Sequence, residues 1–138
     1  MAIDYAQIQV GDELPAFTTE AISRHTLALY CGASGDHNPI HVDSDFARRA
    51  GMPDVFAHGM LSMAWLGRLL TQWVPQRALR SFGVRFLAIT QVGERISCRG
   101  RITEKFEHQG ERLLRLELTT TNDQGEVKLS GVAVVAID

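Results

Sequence analysis

The sequence has no long uninterrupted apolar run, little cysteine and no excess of charge of either sign. Its longest apolar stretch, near residues 60–74, falls short of the ~20 residues that a membrane helix needs. The interruptions are Ser62, Gly67, Arg68 and Gln72. The first residues, MAIDYAQIQVGDEL, do not resemble a secretory signal, so we expect a cytoplasmic protein that does not enter a membrane. A net charge of −2 and a pI of about 6.2 offer no basic surface for nucleic acid.

The cysteines and histidines do not have the spacing of a metal site. Cys31 and Cys98 lie in unlike segments without a CxxC or CxH pattern, so we expect buried thiols in a reducing cytoplasm. His37 and His41 are four residues apart, but Pro39 between them excludes the helix that would place both on one face. No HExxH motif is present. We therefore predict neither a metal ion nor a cofactor.

The composition is that of an ordinary globular protein, with 45% hydrophobic and 22% charged residues among 138. This length is enough to bury a core, and no internal repeat, low-complexity tract or linker divides the chain. We predict a single domain over residues 1–138.

The first half of the chain predicts short elements with identifiable ends. Residues 14–22 alternate loosely, which indicates a short strand. Ser23 is a suitable N-cap for the helix RHTLALYCGAS, and Gly35 would end that helix in a left-handed conformation. Ser44 can cap a second short helix, DFARRA, which Gly51 would stop.

The second half predicts one long helix followed by a sheet. Residues 59–74 carry apolar side chains on almost every side, so we expect this helix to be buried nearly all round. The following segments alternate with period two and predict four consecutive strands of an antiparallel meander: ALRSFGVRFLAI, ERISCRGRITEKFE, ERLLRLELTTTN and EVKLSGVAVVAI. A sheet wrapped around a central helix would cover both apolar surfaces. The predicted fold class is α+β, a single hotdog.

The densest polar constellation is the stretch SGDHNPIH, residues 34–41, in which Pro39 forces an extended path. A polar loop that caps neighbouring helices and an acid/base site both agree with this composition. The next polar stretch, AHGM, places Gly59 at the start of the apolar helix, where a backbone N–H meets the positive end of the helix dipole. Such a donor can stabilise a carbonyl oxygen that gains negative charge.

These two motifs together resemble the MaoC-like dehydratases, also called the (R)-specific enoyl-CoA hydratase or hydratase-2 family. Residues 35–41 match the family signature Gly-Asp-x-Asn-Pro-hydrophobic-His, and residues 58–60 match its His-Gly-Met. The sequence VRF, residues 84–86, is similar to the family's first long strand after the helix. The resemblance covers essentially the whole chain and is closest to short single-hotdog 3-hydroxyacyl thioester dehydratases.

The resemblance implies roles for individual residues. Asp36 and His41 would be the catalytic pair, Asn38 would orient the loop or the histidine, and the Gly59 amide would bind the thioester oxygen. Substrate binding is assigned to His58, Met60 and Arg85, although His58 also suits a structural hydrogen bond, Met60 a core position and Arg85 a solvated surface. Some hydratases carry a helix serine at the position that aligns with Gly67.

Three functions follow from these residues. The first is (R)-specific hydration of trans-2-enoyl thioesters, or the reverse dehydration of (R)-3-hydroxyacyl thioesters, on coenzyme A or acyl carrier protein. The second is a subunit that is active only with a different hotdog partner; the family itself implies a homodimer. The third is a hotdog thioesterase, which usually places a carboxylate on the helix, where GMLSMAWLGRLL has none.

Overall fold

The computed structural model describes residues 3–138. Three α-helices and two short 3₁₀ helices accompany a five-stranded sheet. The helices are α1 (Arg24–Ser34), α2 (Ser44–Arg49) and α3 (Gly59–Thr71), with 3₁₀ turns at Pro39–His41 and Gln76–Ala78. The strands are β1 (Phe17–Thr18), β2 (Leu79–Phe86), β3 (Ser97–His108), β4 (Glu111–Thr121) and β5 (Val127–Ala136).

The sheet is antiparallel throughout and has the strand order β1-β3-β4-β5-β2. The predicted meander of four consecutive strands is therefore wrong in one respect. Only β3, β4 and β5 follow one another, whereas β2 pairs with β5, so between β2 and β3 the chain crosses the sheet to the position next to β1. Alternation shows that a segment is a strand with one buried face, but it does not determine which neighbouring strand the segment pairs with.

The central helix is covered on most sides, but not all round as predicted. Leu66, Leu69 and Leu70 are buried against the sheet, where α3 packs on β2, β3 and β4. The opposite stripe is exposed; it consists of Met60, Ala64, Arg68 and Thr71. The helix also ends at Thr71, three residues before the predicted boundary at residue 74. An antiparallel sheet around one central helix confirms the predicted α+β hotdog class.

A second, smaller apolar cluster lies on the side of α3 that faces α1 and α2. It consists of Ile22, Leu27, Ala47, Val55, Ala57 and Leu61. Ser23 caps α1 as predicted, accepting a hydrogen bond from the N–H of Thr26. The cap of α2 is Asp43 instead of Ser44, since the Asp43 carboxylate accepts from two backbone N–H groups. The predicted strand over residues 14–22 is reduced to β1. This cluster anchors α1 and α2, the helices that come before and after the polar stretch at residues 34–41.

Within residues 3–138, no helix combines the length and apolar character that crossing a membrane requires. Cys31 and Cys98 are both free thiols. Burial raises the pKa of Cys98 to about 12, so this thiol stays protonated at neutral pH.

Candidate active site

The polar loop begins where α1 ends. Gly35 adopts the predicted left-handed conformation, with φ of 75°, and its N–H donates to the carbonyl of Cys31. Asp36 follows, exposed, with its N–H donating to Oγ of Ser34 at 3.1 Å. Its carboxylate Oδ1 accepts the backbone N–H of Asn38 at 3.2 Å. The carboxylate is thus held by its own loop.

Asn38 shapes the next turn. Its side-chain Oδ1 accepts the N–H of Ile40 at 3.1 Å and caps the 3₁₀ helix Pro39–His41. Proline at the first position suits this turn, because the N–H that it lacks would have no partner there. The turn carries His41 inward, where only 8% of its surface is exposed.

The hydrogen bond of His41 defines its tautomer. Nδ1 lies 2.8 Å from the carbonyl oxygen of Phe56. Because a carbonyl can only accept, Nδ1–H is the donor, and the neutral ring keeps its lone pair on Nε2. The ring also meets the Phe56 ring edge-to-face, with centroids 5.2 Å apart. His41 is therefore oriented with one nitrogen available as a base.

His58 stacks on His41, with ring centroids 3.9 Å apart and an interplanar angle of 25°. Its Nε2–H donates to the backbone carbonyl of Asp36 at 3.3 Å. Burial, followed by the charge of His41, lowers the pKa of His58, and this outweighs the opposing effect of Asp36. His58 is therefore neutral at pH 7. Its buried Nδ1 has no hydrogen-bond partner among residues 3–138.

These contacts bring three predicted site residues together. One oxygen or nitrogen atom each from Asp36, His41 and His58 lies within 4.8 Å of the others. Two imidazoles and a carboxylate are ligands that bind transition-metal ions, so these residues could hold a metal ion. A carboxylate beside an imidazole with a free lone pair can equally move a proton to or from a bound molecule.

The N-terminus of α3 lies directly after His58. The N-cap residue His58 makes no side-chain capping bond, and its carbonyl accepts the N–H groups of Leu61 and Ser62. The amides of Gly59 and Met60 have no backbone acceptor among the described residues. A Cβ built on Gly59 would lie 3.1 Å from Cε1 of Phe86. A glycine here therefore permits a close approach between the helix end and the phenyl ring, and the exposed amide is a donor at the positive end of a dipole.

The remaining predicted substrate-binding residues lie at the surface. Met60 is 56% exposed in the first turn of α3, and Arg85 is exposed on β2. A cavity of about 410 Å³ lies at the opposite end of α3, beside Trp73 and Arg77, and none of the predicted site residues lines it. The candidate site thus combines two buried imidazoles, those of His41 and His58, with side chains that are exposed on one chain.

Sequence reasoning missed two residues of the site. Tyr30, on α1, places its ring 4.7 Å from that of His58, and burial followed by the negative charge of Asp36 raises its pKa. Phe56 contributes a backbone carbonyl. Tyr30 carries only the helical spacing of an ordinary apolar position, and a carbonyl acceptor has no signal in the side-chain sequence.

Comparison with known proteins identifies the family. The family model "MaoC like domain" matches residues 6–124. The chain therefore belongs to the MaoC-like family, which confirms the resemblance carried by its motifs.

Three similar proteins agree in fold or sequence. R-hydratase PhaJ1 from Pseudomonas aeruginosa superimposes with a TM-score of 0.87 at 26% identity, covering 99% of this chain and 87% of that one. The (R)-specific enoyl-CoA hydratase of Rhodospirillum rubrum is 27% identical over 124 residues, covering 88% of this chain and 84% of the relative. The ChsH1–ChsH2 complex from Mycobacterium tuberculosis, at 18% identity and a TM-score of 0.81 over 94% of this chain and 98% of that one, is similar in fold alone.

Other relatives are much longer. The chain spans only 4–6% of the length of the fungal fatty acid synthase β subunits that it matches, among them that of Saccharomyces cerevisiae at 26% identity over 132 residues. In those proteins the match is one small segment of a large polypeptide.

Proposed function

We propose that this protein is a hydro-lyase that hydrates trans-2-enoyl thioesters with (R) specificity and, in reverse, dehydrates (R)-3-hydroxyacyl thioesters. The observation that carries the proposal is the grouping of Asp36 with an oriented His41, whose Nε2 lone pair is free, beside the uncapped N-terminus of α3. Residues 1–138 would act as one MaoC-like domain in the cytoplasm, where free thiols are the rule.

The proposed chemistry uses groups that the site contains. Nε2 of His41 takes a proton from a water molecule, positioned with the help of Asp36, as the water oxygen adds to C3. The electron pair of the double bond moves toward the thioester, and the N–H of Gly59 stabilises the developing negative charge on its oxygen. The protonated pair then returns a proton to C2. The same steps in reverse eliminate water.

We also propose that a second hotdog chain completes the substrate site. The edge of β2 that faces away from β5 has no partner strand within residues 3–138, and edge strands invite pairing. Apolar side chains at the end of this strand are exposed; they are Phe86, Leu87 and Ile89. The position of Phe86 beside Gly59 supports a partner that covers the acyl chain. We favour a homodimer, with a different hotdog subunit as the second candidate.

An assay of the purified protein alone with crotonyl-CoA and longer enoyl-CoAs tests these proposals. Hydration would appear as loss of the enoyl absorbance, with (R)-3-hydroxyacyl-CoA as product. Release of free thiol would indicate a thioesterase instead. No reaction with either CoA or acyl-carrier-protein substrates would contradict the homomeric enzyme and favour the heteromeric candidate.

A further inference from the structure

Lys128 is a buried charged residue of the sheet, and it lies outside the candidate active site. It lies on β5, only 2% of its surface is exposed, and its ammonium donates to the carbonyl of Ile89 at 2.8 Å and to Glu94 Oε1 at 3.1 Å. A third contact is with the carboxylate of Glu126. Burial alone would lower the pKa of Lys128, but these carboxylates outweigh it and raise the pKa, so the ammonium stays charged.

Stability alone does not explain why Lys128 and Glu94 form a buried ion pair. A buried ion pair often stabilises a protein no more than well-packed apolar side chains of similar volume would, because desolvation offsets the attraction. A charged pair instead contributes geometric specificity, because each of its hydrogen bonds fixes the position of a particular partner atom.

Lys128 and Glu94 fix one short piece of chain, residues 87–91, which we call the backing segment. The backbone carbonyl of Lys128 accepts the N–H of Leu87 at 2.9 Å, and the Lys128 ammonium donates to the carbonyl of Ile89. Glu94 Oε1 accepts the N–H of Gln91 at 2.7 Å. The two paired side chains therefore hold the backing segment at the carbonyl of Ile89 and at the N–H of Gln91.

The backing segment in turn supports the site. Its Thr90 carbonyl accepts the N–H of Ala57 at 2.9 Å, and Gln91 forms an antiparallel bridge with Phe56. The Phe56 carbonyl is the group that accepts Nδ1–H of His41. The connection from the buried ion pair to the imidazole thus runs entirely through hydrogen-bonded backbone.

We propose that Lys128 and Glu94 are positioning residues for His41, acting through the backing segment and the Phe56 carbonyl. Neither residue contacts His41, so a change in either should move the carbonyl without removing any reacting group. The inference rests on the proposed hydratase function where activity is the readout, but the orientation of His41 can be measured without it.

Lys105 provides a matched control. It is the only other lysine of the chain, and its ammonium also donates to two backbone carbonyls, those of Tyr5 and Ile8, at 2.8 and 2.7 Å. These carbonyls belong to the N-terminal segment, which packs on the main core and not on the site. Replacing Lys105 removes an equivalent anchor elsewhere.

The test compares Lys128→Met, Glu94→Met and Lys105→Met with the unmodified protein. We expect Lys128→Met to lower kcat about 10-fold or more with little change in KM, because a small displacement of a catalytic base is costly. In ¹⁵N spectra of the histidine rings, assigned by comparison with His41→Ala, His41 should lose its pure Nδ1–H tautomer pattern. Glu94→Met removes the acceptor of the Gln91 N–H, so it should change both readouts in the same direction, and it decides the question if Lys128→Met does not fold.

Two results would overturn the proposal. One is a folded Lys128→Met or Glu94→Met protein with the kcat and His41 ring signals of the unmodified protein. The other is an equal loss in Lys105→Met, which would mean that any anchor matters equally. An unmodified protein without hydratase activity would contradict the proposed function alone, and the ring spectra would still decide the positioning role.

Discussion

At the scale of single residues, the two stacked histidines differ in which nitrogen is left free. Each donates one ring N–H to a backbone carbonyl: His41 to Phe56, and His58 to Asp36. In the neutral rings the lone pair is therefore on Nε2 of His41 and on Nδ1 of His58. The latter atom is buried, whereas Asp36 beside His41 is exposed to solvent. This difference makes His41 the better candidate for the base.

Removing either member of the proposed catalytic pair, Asp36 and His41, should abolish most activity. We expect Asp36→Asn and His41→Ala each to lower kcat at least ~100-fold, the usual cost of losing an acid/base group. His37→Ala is the control, since this exposed histidine occupies the variable position of the motif. Rates follow from the enoyl absorbance, and circular dichroism checks folding. Folded variants of both residues with near-normal rates would disprove the site.

The pH dependence of hydration should reveal the base. A histidine must be neutral to accept a proton from water, so hydration should slow on the acid side of neutrality, where a histidine base takes up a proton. Burial and the charge of His41 lower the pKa of His58, so His58 takes up a proton only at a lower pH than an ordinary histidine does. A flat profile of kcat/KM from pH 5 to 8 would count against a histidine base.

Two substitutions at Gly59 distinguish its proposed role as an oxyanion donor from its role in leaving space for Phe86. Gly59→Pro removes the N–H at a helix position where proline is otherwise tolerated, so kcat should fall ~10²–10³-fold while the fold is kept. Gly59→Ala keeps the N–H, and its Cβ, 3.1 Å from Cε1 of Phe86, needs only a small shift of an exposed ring. The alanine variant should therefore lose much less activity. Equal rates for the two variants would remove this amide from the mechanism.

At the scale of elements, the packing around α3 does not require a glycine at Gly67. A Cβ on Gly67 would lie 3.6 Å from Cε1 of Phe82, an ordinary contact. Gly67→Ala should therefore raise the free energy of unfolding by ~0.5–1 kcal/mol, since glycine costs conformational entropy inside a helix. Urea denaturation measures the change.

The matched control for this prediction is Gly131→Ala on β5. A Cβ there would lie 2.8 Å from the carbonyl oxygen of Gly83 in the neighbouring strand β2. This substitution must push two paired strands apart and should destabilise the protein. A destabilised Gly67→Ala protein would show that α3 is more tightly constrained at this turn than the contact distance indicates.

At the scale of the whole molecule, the exposed stripe of α3 and the unpaired edge of β2 leave apolar surface uncovered beside the site. We expect sedimentation equilibrium to give twice the 15.3 kDa mass of the chain, because pairing would cover both features. Dilution below the dissociation constant should reduce activity in parallel with the dimer fraction. Full activity from a species of 15.3 kDa would contradict a site completed by a second copy.

The sequence alone determined the features that depend on a few neighbouring residues. The cap at Ser23, the left-handed end at Gly35 and the start of α3 at Gly59 were all predicted correctly. So was the alternation of β4, in which Leu114, Leu116 and Leu118 are buried. Caps and alternation are local, because their partners lie within a few positions along the chain. The family motifs are local for the same reason.

Tertiary structure decided which distant segments meet. The pairing of β2 with β5, the stacking of His58 on His41 and the burial of Lys128 against Glu94 join residues far apart in sequence. None of these has a local signal: an alternating strand fits several neighbours, and a backbone acceptor such as the Phe56 carbonyl exists at every residue. Only the closure of the sheet around α3 selects one set of partners, because burying both apolar faces at once permits few arrangements.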